Sequence, residues 1–202
     1  MKQLQTEKTL VTLFDFQEFL EWLTTLTVKR QILIIQNHHT WQPDYKSWSK
    51  LSDHFHWIKS MEDFQVKEEG FAQCAQNITT FPDGLLAVCR PFDVAPAGIL
   101  GANSHGICIE HMGNFDEGND VMTMKHRDTI LKLNAVLCKK FSIPINTTSI
   151  VYHHWYDLVT GQRTNGAGRT KTCPGTDFFG GNSVESAEKN FIPLIINSLK
   201  TI

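Results

Sequence analysis

The sequence lacks the marks of several large protein classes. Its longest apolar runs, such as Ile32-Leu33-Ile34-Ile35, are far too short to span a bilayer, so no transmembrane segment is expected. It has no basic excess: 19 Lys and Arg stand against 21 Asp and Glu, for a formal net charge of −2. With no polybasic block either, nucleic acid and anionic membrane surfaces are not expected partners. The opening Met-Lys-Gln-Leu-Gln-Thr-Glu-Lys contains no apolar core of a signal peptide, so the chain is expected to be cytoplasmic at synthesis. The five cysteines, Cys74, Cys89, Cys108, Cys138 and Cys173, are odd in number and include no CxxC pair. That pattern predicts reduced thiols rather than a disulfide framework. Repeats, low-complexity tracts and Pro/Ser-rich linkers are absent, which argues against a chain of several modules.

What is present is ordinary globular composition: 202 residues, 41% hydrophobic and 20% charged, enough to bury a substantial core. Residues 15–26 read as an amphipathic helix. Asp15 caps it, Glu18 completes a capping box, and Phe16, Phe19, Leu20, Leu23 and Leu26 share a face. Strands are expected at 31–37, 74–80, 84–90, 106–112 and 149–153, with Phe81-Pro82-Asp83-Gly84 turning a hairpin between the second and third. A helix is placed around 60–67. The clearest helix spans 123–141, with Ile130, Leu133, Leu137, Cys138 and Phe141 as its stripe. A last helix, capped by Asn182 or Ser183 with Glu185 placed for the box, runs to about residue 200. Strands alternating with helices around a central hairpin predict an α/β fold with a mixed central β-sheet flanked by helices. Residues 1–30 are expected to form an N-terminal helical extension, and residues 31–202 the domain proper.

Two strands end in histidine pairs. Gln36-Asn37-His38-His39-Thr40-Trp41 follows the first, and His153-His154 closes Ile150-Val151-Tyr152. Cys173 lies downstream in the polar string Arg169-Thr170-Lys171-Thr172-Cys173-Pro174-Gly175, unlike Cys89 and Cys108, which sit in apolar runs and read as small hydrophobes. If the two strands are neighbours, a histidine from each emerges at one sheet edge. Two imidazoles and a thiolate suit zinc, and three protein ligands leave a fourth position open, the catalytic pattern. The bland alternative is a set of polar strand ends and a loop cysteine. His39, His111, His153 and His154 each fit it individually.

The strings themselves resemble the zinc-dependent N-acetylmuramoyl-L-alanine amidases, the type 2 amidase and peptidoglycan recognition protein family. ILIIQNHHT is similar to that family's first metal-binding strand and FPDGLLAVCRPF to its hairpin. GANSHGICIEHMGNF is similar to its central strand, IVYHH to its second histidine strand, and KTCPGTDFF to its closing Lys-x-Cys-Pro-Gly motif. The likeness runs from about residue 31 to 197 in the family's order. It implies Zn2+ held by His38, His153 and Cys173, with His38 preferred over His39 and His153 over His154. It implies Glu110 as general base and Lys171 as the group that polarises the amide and steadies the oxyanion. Where some branches carry a tyrosine on the earlier strand, this chain has Gln76 or Asn77. The implied reaction is hydrolysis of the amide between N-acetylmuramic acid and L-alanine of peptidoglycan; the alternative is a module of the same fold that binds peptidoglycan without cutting it. Without a signal peptide, such a hydrolase is expected to reach the wall by another route. Candidate substrate-binding residues are Trp41, Gln76, Asn103, His105, Trp155 and Arg163, with Trp48 also considered, because indole faces stack on sugars and arginine pairs with carboxylates. The segment 160–166 is expected either to wall the cleft or to form a solvated loop.

Overall fold

The computed structural model describes residues 1–202. The chain opens with a hairpin of β1 (Lys2–Gln5) and β2 (Leu10–Phe14), followed by α1 (Phe16–Thr25). The helix begins where expected. The Asp15 carboxylate accepts from the Glu18 N–H, and the Glu18 carboxylate accepts from the Asp15 N–H, the two halves of a capping box. The N-terminal segment is therefore not helical alone: two strands precede the helix and join the sheet. Their sequence, Lys-Gln-Leu-Gln and Leu-Val-Thr-Leu-Phe, is too short and too mixed to announce a strand by periodicity.

Next come β3 (Ile34–His39), α2 (Tyr45–Lys50), α3 (His54–Lys67), and the hairpin of β4 (Ile78–Thr80) and β5 (Leu86–Val88). β6 (Gly106–His111), α4 (Met124–Phe141) and β7 (Ile150–Tyr152) follow. The C-terminal helix is composite: α5 (Val184–Ser186), a π-helical turn (Ala187–Phe191) and α6 (Ile192–Leu199). Ser183 caps it: its hydroxyl accepts from the Ser186 N–H at 3.0 Å. Ser186, not Glu185, thus fills the N3 position, so no capping box forms with Glu185. No helix is long and apolar enough to cross a membrane.

The seven strands lie in the order β1-β2-β5-β4-β6-β3-β7. The β1-β2-β5-β4 half is antiparallel, and β4-β6-β3-β7 is parallel. This is the mixed central sheet expected from the sequence. Strand alternation gives it two distinct faces. On one, Ile35, Ile78, Leu86, Ile107, Ile109 and Ile150 pack beneath α1, α4 and α6 in the main core. On the other, Val11, Leu13, Ala87 and Cys89 pack with Ile58 and Met61 of α3 in a smaller one. α3 covers only part of this second face, and the uncovered remainder, over β3 and β6, is the site.

Candidate active site

β3 and β7 are adjacent and parallel, with Asn37 opposite Tyr152, so His38 and His153 leave the sheet at the same edge. At that point the strand β7 ends and His153–Trp155 turn into a 3-10 helix. His38 Nδ1 lies 3.1 Å from His153 Nδ1, and one donor atom each from His38, His153 and Cys173 fall within 4.8 Å of one another. All three side chains are buried.

Cys173 is brought there by a tied-down loop. Asp116 accepts from the Thr172 hydroxyl and the Thr176 N–H, Asn182 donates to the Thr172 carbonyl, and the His154 N–H donates to the Cys173 carbonyl at 2.7 Å. Gly175 follows the Cys-Pro pair for a steric reason: at φ +121°, a Cβ there would meet the Phe115 backbone at 2.4 Å. Thr40, after the first histidine pair, stitches the end of β3. Its hydroxyl donates to the Pro43 carbonyl at 2.6 Å and accepts from the Gly113 N–H at 2.8 Å.

The second histidine of each pair faces elsewhere. His39 Nδ1 accepts from the Phe115 N–H at 3.2 Å, and His154 Nδ1 is committed to the Lys171 carbonyl at 2.8 Å. The His39 backbone N–H points at Cys173 Sγ, 3.4 Å away, a donor suited to a thiolate.

Glu110 sits beside His38 in the β3–β6 register. Burial pushes its carboxyl up to about 8, with the Lys171 ammonium the only opposing charge. Burial drives His153 down to about 3 and holds His38 well below its ordinary value, helped by His153 and Lys171 nearby. Burial pushes the Cys173 thiol up. Two neutral imidazoles and a thiol thus face one point. His38 Nε2 has no hydrogen-bond partner. Two nitrogens each about 2.05 Å from a tetrahedral ion stand roughly 3.3 Å apart, close to the 3.1 Å between His38 Nδ1 and His153 Nδ1. The donor set and its spacing fit zinc.

These groups line the end of a cleft of about 900 Å³. Its far wall is α3 and the segment beyond, with Trp57, Met61, Phe64, Gln65 and Phe71. That wall went unrecognised in the sequence, although positions 57, 61, 64 and 65 repeat at helical spacing. Cys108 is also a cleft residue rather than plain core. It forms a second donor cluster with His38 and Glu110, again within 4.8 Å.

Of the six proposed substrate-binding residues, only Trp41 lines the cleft, 59% exposed. Gln76 is fully buried between Gln65 and Thr79. Asn103 Oδ1 accepts from the Gly98 and Ile99 N–H groups, closing a loop. His105 is exposed, its Nδ1 at the Gln31 carbonyl. Trp155 is core, its indole N–H donating to the Asn182 carbonyl. Arg163 lies over the Trp155 ring at 5.0 Å and donates to the Thr147 carbonyl. Trp48 packs on His54 and Phe81. The 160–166 segment supplies no cleft wall. It docks on the loop at Gly101, where Gly161 approaches too closely for any side chain on Gly101.

Comparison with known proteins identifies the family and the fold. The sequence model of the N-acetylmuramoyl-L-alanine amidase family matches residues 28–176. The chain belongs to that family. No curated protein matches it in sequence. Among solved structures, it resembles Drosophila PGRP-LB at 18% identity and TM-score 0.57, over 80% of this chain and 82% of that one. It also resembles the N-acetylmuramoyl-L-alanine amidase LysC of Clostridium intestinale at 18% identity and TM-score 0.51, over 81% and 89%. Another Drosophila PGRP-LB structure, a point mutant solved in complex with tracheal cytotoxin, matches at 19% identity and TM-score 0.55, covering 80% and 83%. At these identities the likeness is one of fold.

Proposed function

We propose that this protein is a zinc-dependent hydrolase of the amide between N-acetylmuramic acid and L-alanine in peptidoglycan. The observation that carries the reading is the convergence of His38, His153 and Cys173 at the end of a cleft, with Glu110 and Lys171 beside them. His38, His153 and Cys173 would hold the ion, leaving its remaining position to the cleft. When bound, zinc supplies a Lewis acid for the scissile carbonyl and makes a water nucleophilic near neutral pH.

The chain's own groups do the rest. Glu110, with a carboxyl poised near neutrality, takes the proton of the attacking water and returns it to the departing alanine nitrogen. Lys171, exposed at the cleft rim, places a positive charge where the carbonyl oxygen becomes negative. A thiolate ligand softens the metal's charge, which leaves a share of the oxyanion's stabilisation to that second positive centre. Trp41 and the aromatic side of α3 offer apolar faces to sugar rings. The 1–30 segment, whose strands extend the sheet, is read as part of the folded unit carrying the amidase domain.

The test is mass spectrometry of soluble products after zinc-loaded protein meets peptidoglycan, with Cys173→Ser alongside. Stem peptides bearing a free L-alanine amine, lost in the variant, are the expected result. No such product, with the protein cosedimenting with the wall, overturns hydrolysis in favour of recognition alone.

A further inference from the structure

Behind the site, on the α4 face of the sheet, six side chains from five elements form one continuous hydrogen-bonded chain. Its direction is fixed at one end by a backbone carbonyl. Asn134 Nδ2 donates to the Ile130 carbonyl at 2.9 Å, which orients that amide. The same Nδ2 donates to Asn37 Oδ1 at 3.0 Å, and Asn37 Nδ2 returns a bond to Asn134 Oδ1 at 3.1 Å. Asn37 Oδ1 is thus an acceptor, so His111 Nε2, 3.0 Å away, carries a proton. His111 Nδ1 must then accept from the Thr80 hydroxyl at 2.8 Å. With its proton committed, Thr80 Oγ1 accepts from His126 Nε2 at 2.7 Å, and His126 Nδ1 accepts from the Tyr45 hydroxyl at 2.8 Å. Both histidines are neutral Nε2–H tautomers. From Tyr45 to Asn37 the bonds run one way, from α2 through α4, β4 and β6 to β3, and the reciprocal Asn37–Asn134 pair closes the chain. Asn37, Thr80, His111, His126 and Asn134 are each fully buried.

The chain ends where the site begins. Asn37 immediately precedes His38, and His111 immediately follows Glu110; Thr80 is the register partner of His111. Backbone pairing is evenly spaced along parallel strands, so which residues stand side by side is set by the side chains. A buried directional chain has one arrangement in which every donor meets an acceptor. We propose that Thr80 and His111 are positioning residues: they lock β3 against β6 so that His38 and Glu110 stand side by side on the opposite face. The proposal rests on reading His38, His153 and Cys173 as the metal site.

The test compares Thr80→Val, which removes the central hydroxyl at nearly constant shape, with Thr80→Ser, which keeps it. Tyr45→Phe, at the half-buried end of the chain, serves if Thr80→Val does not fold. Zinc affinity is measured by competition with a chromophoric chelator, and amide exchange at residues 38 and 110 is measured in metal-free protein. The expected result is zinc binding weakened about tenfold or more by Thr80→Val, the range seen when groups supporting metal ligands are lost, with Thr80→Ser within about twofold of the parent. Exchange at 38 and 110 should quicken in Thr80→Val more than in β5. If Tyr45→Phe is used, smaller changes in the same direction are expected. A variant that is merely less stable, with zinc affinity and local exchange unchanged, overturns the proposal. If the parent protein takes no zinc, the metal reading fails, while the exchange at 38 and 110 still decides whether the chain positions these strands.

Discussion

The two faces of β3 and β6 differ by a single residue of register and by everything in their chemistry. On the α4 face, Asn37 and His111 have every polar atom paired. One residue along, on the cleft face, His38 Nε2 has no partner and Glu110 has only the charge of Lys171 to answer its own. Burial does not separate them, because His111 is even more buried than His153. The grouping of donors does. Unpartnered buried atoms occur elsewhere too, at Thr9, Glu62, Arg90 and Tyr152, but the cleft face brings two imidazoles and a thiol to one point at the end of a cleft, which marks where something outside the chain belongs. A histidine count alone would have treated both faces alike.

The sharpest way to break the comparison is to neutralise the cleft-face carboxylate. Glu110→Gln keeps the shape and removes the base. The expected loss in kcat is about 10²- to 10⁴-fold with zinc content unchanged. A variant that still turns over at the parental rate would make Glu110 a structural carboxyl and erase the functional meaning of its unpaired state. Lys171→Met should cost less, roughly 10- to 100-fold and mainly in kcat, because one charge aimed at a developing oxyanion is lost from an exposed rim where salt already screens it. Raising ionic strength should shrink the gap between parent and variant. An unchanged kcat, with only KM altered, would move Lys171 from the reacting carbonyl to ordinary substrate contact.

The legibility of the molecule follows the same division. Elements with a strong local signal were readable: the Asp15 and Glu18 capping box, the α4 stripe, the hairpin around Gly84, and the strand-end positions of His38 and His153. The cluster itself needed only two parallel neighbours and a loop, and motif strings supplied the loop. Side chains whose role depends on distant packing were not readable. Trp155 and Arg163 carry the right chemistry for a sugar or a carboxylate, yet each satisfies the other and the nearby backbone. β1 and β2 become strands because the exposed edge of β5 offers β2 a partner, a fact with no trace in a four- or five-residue window. The wall formed by α3 was missed because its apolar residues serve both the small core and the cleft, which blurs the one-sided pattern that periodicity detects.

The smallest expected effect concerns acid. Burial pulls His126 down to about 3, against the modest opposing pull of Asp83, and burial lowers His111 as well. In the unfolded chain an imidazole titrates near its ordinary value of about 6.5. Between those values the unfolded state binds a proton that the folded state refuses, so the contribution to stability is present at neutral pH and is lost as pH falls from about 6.5 toward 3. Each such histidine should contribute a slope of about 1 kcal/mol per pH unit. Urea unfolding of metal-free His126→Gln across that window should show a shallower decline than the parent, whatever its absolute stability. An identical slope would mean that His126 is already protonated in the folded protein. An imidazolium there donates from both nitrogens, Tyr45 would have to accept rather than donate, and the one-way chain behind the site would have to be redrawn from that end.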